Sequence, residues 1–392
     1  MPGVPVKKSF NYDALVVGAG LHGLSCALHL ARAGLSVLAL EKDHAGRHAS
    51  GVNAGGVRRL GRHEAEIPLS LAAMEIWHRI EEEVGDACGF SECGQVKVAE
   101  TESEAADLRH RVRRLRELGY DHEEWIEASE LRHLVPGIAP HCAGAIVCRR
   151  DGAANPFRTV TAFRRAAVAA GAELKEGCEV TALTRVGSGW RIDTSAGAVN
   201  ADHVVNCAGA WGNRIARQLD EPVPLCAEAP MLMITERLSP FLTPVLGAAG
   251  RVLSFKQFDN GTLLIGGGHR GRAEPDGNRT HLDFDGLRTS ARTVGTLFPN
   301  LRDVRVVRCW AGIEGVMSDG LPVIGPSSRA EGVYHAFGFS AHGFQLGPIS
   351  GRIIADLILR GASRLPVEPF RIQRFSPVAG SAVGEAPRVA EA

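Results

Sequence analysis

The segment YDALVVGAGLHGLSCALHLARAGLSVLALEK, from Tyr12 to Lys42, constrains the fold more than any other stretch of the chain. The apolar run ending at Val17 reads as a buried strand. Glycines at 18, 20 and 23 follow, then a helical pattern, then a second apolar run ending at Glu41. Each glycine has its own reason. Gly18 lets the chain turn tightly, Gly20 lets the backbone approach a pyrophosphate, and Gly23 lets helix and strand pack closely. The helix that follows aims its first N–H groups at the phosphates. Glu41 lies about twenty residues on, where a carboxylate accepts hydrogen bonds from a ribose. An acid there disfavours a 2′-phosphate, so the pattern predicts a bound dinucleotide other than NADP.

Composition excludes several classes. The 392 residues suffice for two domains, and 45% hydrophobic content supplies their cores. Lys plus Arg and Asp plus Glu each number 44, so no net field recruits nucleic acid or an anionic membrane. The nine cysteines form no C-x-x-C pair. Neither structural zinc nor an iron–sulfur cluster within this chain is expected. MPGVPVKKSF lacks the apolar core of a signal peptide. No run reaches the ~18 apolar residues of a membrane helix. The expected location is the cytoplasm, with peripheral attachment at the inner membrane face as an option.

Along the chain, Glu64–Val84 reads as one long helix, and Gln95–Ala99 as a strand. Helices are predicted at Glu102–Leu118, Ala128–Leu134 and Asn155–Ala170. Short strands at Glu179–Arg185, Trp190–Thr194 and His203–Asn206, punctuated by glycines, predict a meander. Pro224–Gly268 alternates like antiparallel sheet, and a helix closes the last block. Segments that suit a nucleotide domain are thus scattered along the chain, which predicts two interleaved domains. The predicted fold class is α/β: a Rossmann-like nucleotide domain interleaved with an α+β domain on a largely antiparallel sheet. The nucleotide domain is expected at 1–90, 145–222 and 322–376, and the second domain at 91–144 and 223–321. The Ala- and Pro-rich tail 377–392 is expected to be disordered.

Four blocks, VVGAGLHGLSCALHLARAG, VVNCAGAW, WAGIEGVMSDGLPVIGP and GFSAHGFQLGP, occur in that order. Together they resemble the FAD-dependent D-amino-acid oxidase superfamily, across Tyr12 to Leu359. That superfamily includes glycine and sarcosine oxidases, proline and hydroxyproline dehydrogenases and opine oxidase subunits. WAGIEG and VNAGGVRRL look most like the catalytic subunits of opine or hydroxyproline dehydrogenases. The resemblance implies non-covalently held FAD. Gly18, Gly20 and Gly23 would hold its pyrophosphate, and Glu41, with Lys42 beside it, the adenosine ribose. His48, Ala49, Ser50, Ala54, Gly55 and Gly56 would follow the pyrophosphate and the flavin edge. Val180 would meet adenine through its backbone, and Gly209 and Trp211 would lie beside the cofactor. His342, Gly343, Phe344 and Gln345 would meet the flavin pyrimidine, where helix N–H groups stabilise charge on the reduced ring.

The resemblance implies hydride transfer from a carbon bearing nitrogen to flavin N5, giving an imine that hydrolyses. No protein residue is assigned as a certain catalytic base, and no metal site is expected. The substrate carboxylate needs a cation, best a bidentate arginine. Many relatives place that arginine soon after the tryptophan of the WAG block, where this chain has Glu314. Arg58 or Arg59 is the expected substitute, with Glu314 and His342 also on the substrate side. Leu264 stands where sarcosine oxidases carry an oxygen-activating lysine, which favours a dehydrogenase; Lys256, close in sequence, is the alternative cation and a further candidate on the substrate side. A quinone, or an iron–sulfur or other electron-transfer subunit, would then accept the electrons. A 2-hydroxy-acid dehydrogenase, or a flavin subunit active only in a complex, are the alternatives.

Overall fold

The first strand, Tyr12–Val17, lies in the middle of a parallel sheet. It pairs in parallel with Val37–Leu40 on one side and Gly197–Asn206 on the other. Glu173–Lys175 and Val333–Phe337 extend the sheet in parallel at either side, and Val323–Pro326 closes one edge antiparallel. The antiparallel meander Val180–Val186, Gly189–Thr194 branches from Gly197–Asn206. The computed structural model describes residues 11–375; the tail 377–392, expected to be disordered, lies outside them.

The helices Leu21–Arg32 and Gly343–Arg360 pack against each other. Their closeness is written in glycines one helical turn apart. A Cβ on Gly347 would come within 2.4 Å of Leu21, and one on Gly351 within 2.2 Å of Ser25 Oγ. Ser25 Oγ donates to Pro348 O at 2.9 Å across this seam.

The chain divides into two units. Within the described residues the first is 11–51, 160–226 and 315–375, and the second is 52–159 and 227–314. Residues 52–90 and 145–159, expected in the nucleotide unit, therefore lie in the second. Their contacts explain this: Gly144–Cys148 pairs with Gln95–Ala99, Gln95 donates to Gly152 O, and the Gly61 N–H donates to Glu123.

The second unit is built on a sheet ordered Val306–Ala311, Leu225–Arg237, Thr262–Glu274, Ser254–Gln257, Val245–Ala248, Gln95–Ala99, Gly144–Cys148, Glu124–Glu127. All its neighbours are antiparallel except Val245–Ala248 with Gln95–Ala99. One face is apolar. Val96, Val98, Phe255, Leu263 and Ile265 join Leu131 of the helix Ala128–Leu134 and Leu287 of the helix Phe284–Leu297 in one core cluster. Side chains alternate across a strand, so Gln95, Lys97 and Lys256 belong to the opposite face. Glu64–Val84 is not one helix: Ile67–Trp77 ends where Arg79 leaves helical geometry, and Ile80–Val84 restarts it. No helix among the described residues is long and apolar enough to cross a membrane.

A buried polar chain ties the first unit together. Asn206 Nδ2 donates to His335 Nδ1 at 3.2 Å, so His335 carries its proton on Nε2 and donates it to Glu221 Oε2, also at 3.2 Å. Ser327 Oγ donates to Glu221 at 2.6 Å, and Ser328 donates its N–H and its hydroxyl at 2.5 Å each. Burial alone would raise the pKa of Glu221, but these donors outweigh it and hold it down at about 2. A depressed carboxylate stabilises the fold above its unfolded pKa and loses that effect as pH falls. Glu221→Gln should therefore cost roughly 3 kcal/mol at pH 7. The gap to wild type should narrow as pH drops from 4.5 toward 2 in denaturant melts. A gap independent of pH would show that the ionised carboxylate is not what these donors stabilise.

Candidate functional site

In the first unit the turn after Val17 sits at the carboxyl ends of the parallel strands. Gly18 N–H donates to Leu40 O at 2.7 Å and Cys207 N–H to Val17 O at 2.9 Å. Gly18 has φ +99°, and a Cβ on it would lie 2.6 Å from Cys207 O. A Cβ on Gly23 would lie 1.9 Å from Gly18 O. Neither position accepts another residue. Gly20 faces Ser50, whose Oγ would be 2.9 Å from its Cβ and accepts the Leu21 N–H at 2.9 Å. The Glu41 carboxylate is buried. One oxygen takes the Ala19 N–H at 2.8 Å and the other the Asp43 N–H at 3.0 Å. Each oxygen keeps a lone pair for a ribose hydroxyl.

Other predicted residues gather around this turn. Lys42 Nζ lies 3.5 Å over the Trp211 ring, and the His48 ring is 4.8 Å from it. Burial lowers the Lys42 pKa, with the Glu41 charge opposing. Gly209, at φ +55°, opens the 3₁₀ turn Gly209–Trp211. Val180 packs with Leu40 and Cys178. Ala49 begins the short helix Ala49–Val52. His342 caps the helix that starts at Gly343, and Phe344 and Gln345 are buried in its first turn. The approach to that helix is strained, since Ser340 and Ala341 both have positive φ, 48° and 66°. His22 was not singled out from the sequence. Its ring stacks on Phe339 with centroids 3.7 Å apart, and a Cβ on Gly343 would lie 2.8 Å from it. Burial pushes its pKa down to about 3, so the ring is neutral at physiological pH. Its only sequence signal is its place inside the glycine turn.

In the second unit, Ala54 leads into Gly55 at φ +70°, where a Cβ would lie 2.2 Å from Ala154 O. Trp310 Nε1 donates to Val52 O at 2.9 Å, joining the WAG block to this segment. Lys256 is directly opposite Leu264 in the sheet, and its Nζ lies 3.1 Å from the place a Gly55 Cβ would occupy. The side chain is 5% exposed. Burial pulls its pKa down to about 8, with a smaller opposing influence from Cys93. Lys256, the alternative cation expected from the sequence, is thus the strand partner of Leu264.

Arg58 and Arg59 have different fates. Arg59 Nε binds Asp151 Oδ1 at 2.9 Å, while the other Asp151 oxygen takes the N–H groups of Arg59 and Leu60. The Asp151 carboxylate is fully buried. Arg59 thus serves as the countercharge of Asp151. Arg58 NH1 donates to Leu60 O at 2.6 Å, and Arg58 forms no ion pair among the described residues. Burial lowers its pKa, with Asp151, Glu66 and Glu123 offsetting part of that effect. Glu314 is half-buried at the start of Glu314–Met317.

The family profile described as DAO, FAD dependent oxidoreductase, matches residues 13–357. The chain belongs to that family. It is 27% identical to glycine oxidase of Geobacillus kaustophilus, over 93% of this chain and 97% of that one. It is 28% identical to an opine oxidase subunit of Rhizobium meliloti, over 93% and 98%. The crystal structure of glycine oxidase from Geobacillus kaustophilus superposes with a TM-score of 0.86 at 26% identity, covering 93% of this chain and 99% of that one. L-proline dehydrogenase from P. horikoshii gives 0.86 at 26%, covering 93% and 97%. Membership fixes the cofactor as FAD and the protein as an oxidoreductase. The turn fits a dinucleotide: its glycines leave no room for side chains, and its carboxylate retains acceptor capacity. Gly20→Asp should yield folded, colourless protein, because the new carboxylate meets Ser50 and the pyrophosphate position. Absorbance near the flavin band after purification checks this. A fully yellow variant would place the pyrophosphate elsewhere.

Proposed function

We propose that this protein oxidises the C–N bond of an amino acid or N-substituted amino acid, of the proline, hydroxyproline, sarcosine or opine type. The observation that carries this reading is Arg58. It is a half-buried guanidinium with one carbonyl partner and, among the described residues, no ion pair, two residues beyond the Gly55–Gly56 turn. A guanidinium left in that state suits a carboxylate, which it binds through two parallel N–H donors. The names of the relatives, glycine oxidase, opine oxidase and L-proline dehydrogenase, support an amino-compound donor.

FAD, when bound, accepts the hydride from the carbon bearing nitrogen, and the resulting imine hydrolyses in water. The chain's own residues hold and orient. Gly18, Gly20, Gly23 and Glu41 hold the dinucleotide, with Lys42, His48, Ser50 and Trp211 around it. Arg58 takes the substrate carboxylate. Glu314 accepts hydrogen bonds from the amino group or from a more distant cation on the substrate. Lys256 keeps a positive charge at the Gly55 turn at neutral pH, being mostly protonated below about 8. With Lys256 in place, the lack of a cation no longer argues for a dehydrogenase over an oxidase. The opine oxidase relative is itself a subunit, which supports a partner in electron transfer as one route of reoxidation.

The test is anaerobic bleaching of the flavin band by amino acids, prolines, sarcosine, opines and 2-hydroxyglutarate, followed by readmission of air. Rapid bleaching by an amine is expected. Colour returning within seconds in air identifies an oxidase, and a band that stays bleached identifies a dehydrogenase needing a quinone or partner. Bleaching by 2-hydroxyglutarate alone would overturn the reading.

A further inference from the structure

The polar face of the second unit's sheet sets another cation beside Arg58. Along Gln95–Ala99, Val96 and Val98 enter the apolar core, so Gln95, Lys97 and Ala99 turn the other way. On that side Gln95 Nε2 donates to Gly152 O at 2.8 Å and lies 3.5 Å from the position a Cβ on Gly56 would take. Ala99 packs in one cluster with Leu60. Lys97 lies midway between Gln95 and Ala99, as Arg58 lies midway between Gly56 and Leu60. These flanking contacts set Lys97 near Arg58, whose charge acts on it. Both are half-buried, and among the described residues the Lys97 ammonium has neither a hydrogen bond nor an ion pair. Burial lowers the pKa of Lys97, and the Arg58 charge lowers it further.

The nearby carboxylates are committed. Glu123 gives both oxygens to Arg111 at 2.8 Å and also takes the Gly61 N–H. Asp151 belongs to Arg59. The buried Glu66 acts on the equally buried Arg62 as well as on Arg58. Five cations, Arg58, Arg59, Arg62, Lys97 and Arg111, thus share three carboxylates. Two positive charges whose carboxylate neighbours are shared with other cations are only partly compensated out of water, and a bound anion of matching charge offsets the rest.

We propose that Arg58 and Lys97 form a paired receptor for a substrate with two carboxylates, an amino acid or N-substituted amino acid in which each cation anchors one. The inference rests on the amine-oxidation reading and narrows its substrate class. Arg58 offers a bidentate fork, and Lys97 a compact point charge that accommodates a second carboxylate at variable distance.

The test is calorimetric titration of FAD-loaded protein at fixed ionic strength. Malonate, succinate and glutarate are compared with acetate, propionate and butyrate. The tightest dianion should bind at least about 10-fold more strongly than the tightest monoanion. Lys97→Met should collapse that ratio to about threefold or less, with the flavin band confirming loading. If Lys97→Met does not fold, Lys97→Gln carries the same comparison. Equal binding of both series in wild type, or a ratio untouched by the Lys97 variants, would overturn the proposal. Failure of the underlying reading looks different: no amine bleaches the flavin, whatever its carboxylate count.

Discussion

The contact between Gly18 O and the α-carbon region of Gly23 is the constraint on which the first unit depends. No side chain fits at residue 23, since even a methyl group would sit 1.9 Å from that oxygen. The contact seats the first helix directly over the ends of the parallel strands. It leaves the Ala19 N–H for Glu41 and the Leu21 N–H for Ser50. The same helix then presents Leu21, His22 and Ser25 to Gly347, Gly343 and Gly351 of the final helix. One close approach therefore propagates along the helix and fixes where the last block of the chain can lie. The strained Ser340–Ala341 backbone feeds the start of that last helix. Strain of this kind persists only where its surroundings over-determine it.

The second unit follows another rule, the division of a sheet into an apolar and a polar face. Helices cover the apolar face and build the core. The polar face gathers Gln95, Lys97 and Lys256, with Arg58 among them. Charges placed there have few routes to neutrality, so each carboxylate decides which cation is structural. Asp151 engages Arg59 and Glu123 engages Arg111. Arg58 and Lys97 form no ion pair among the described residues, and on the proposal above they receive the ligand. On that proposal, specificity is a remainder, set by which cations the fold has not already paired.

Much of this was legible in the sequence, and the limits have physical causes. The nucleotide turn was legible because a steric requirement writes glycine at fixed offsets. The helices Glu102–Glu117, Ala128–Leu134 and Pro156–Ala169 lie where periodicity and proline placed them. The break after Trp77 was not legible, because no glycine or proline marks it: Arg79 leaves helical geometry in a continuous helical pattern. The helix Phe284–Leu297 escaped notice even though Asp283 caps it. Two adjacent arginines look alike in sequence, and only the distant Asp151 distinguishes them. Lys256 is a candidate in the sequence by closeness alone, and strand pairing is what sets it against Leu264.

In the proposed function, Arg58 rather than Arg59 receives the substrate carboxylate. The direct measurement is the steady-state KM of a bleaching amino acid, taken with Tm, for Arg58→Ala and Arg59→Ala. Arg58→Ala should raise KM about 100-fold, the equivalent of ~3 kcal/mol, with little change in Tm. Arg59→Ala strands the buried Asp151 carboxylate and should destabilise the fold by about 3 kcal/mol. An unchanged KM in Arg58→Ala would contradict this assignment and move the anchor elsewhere.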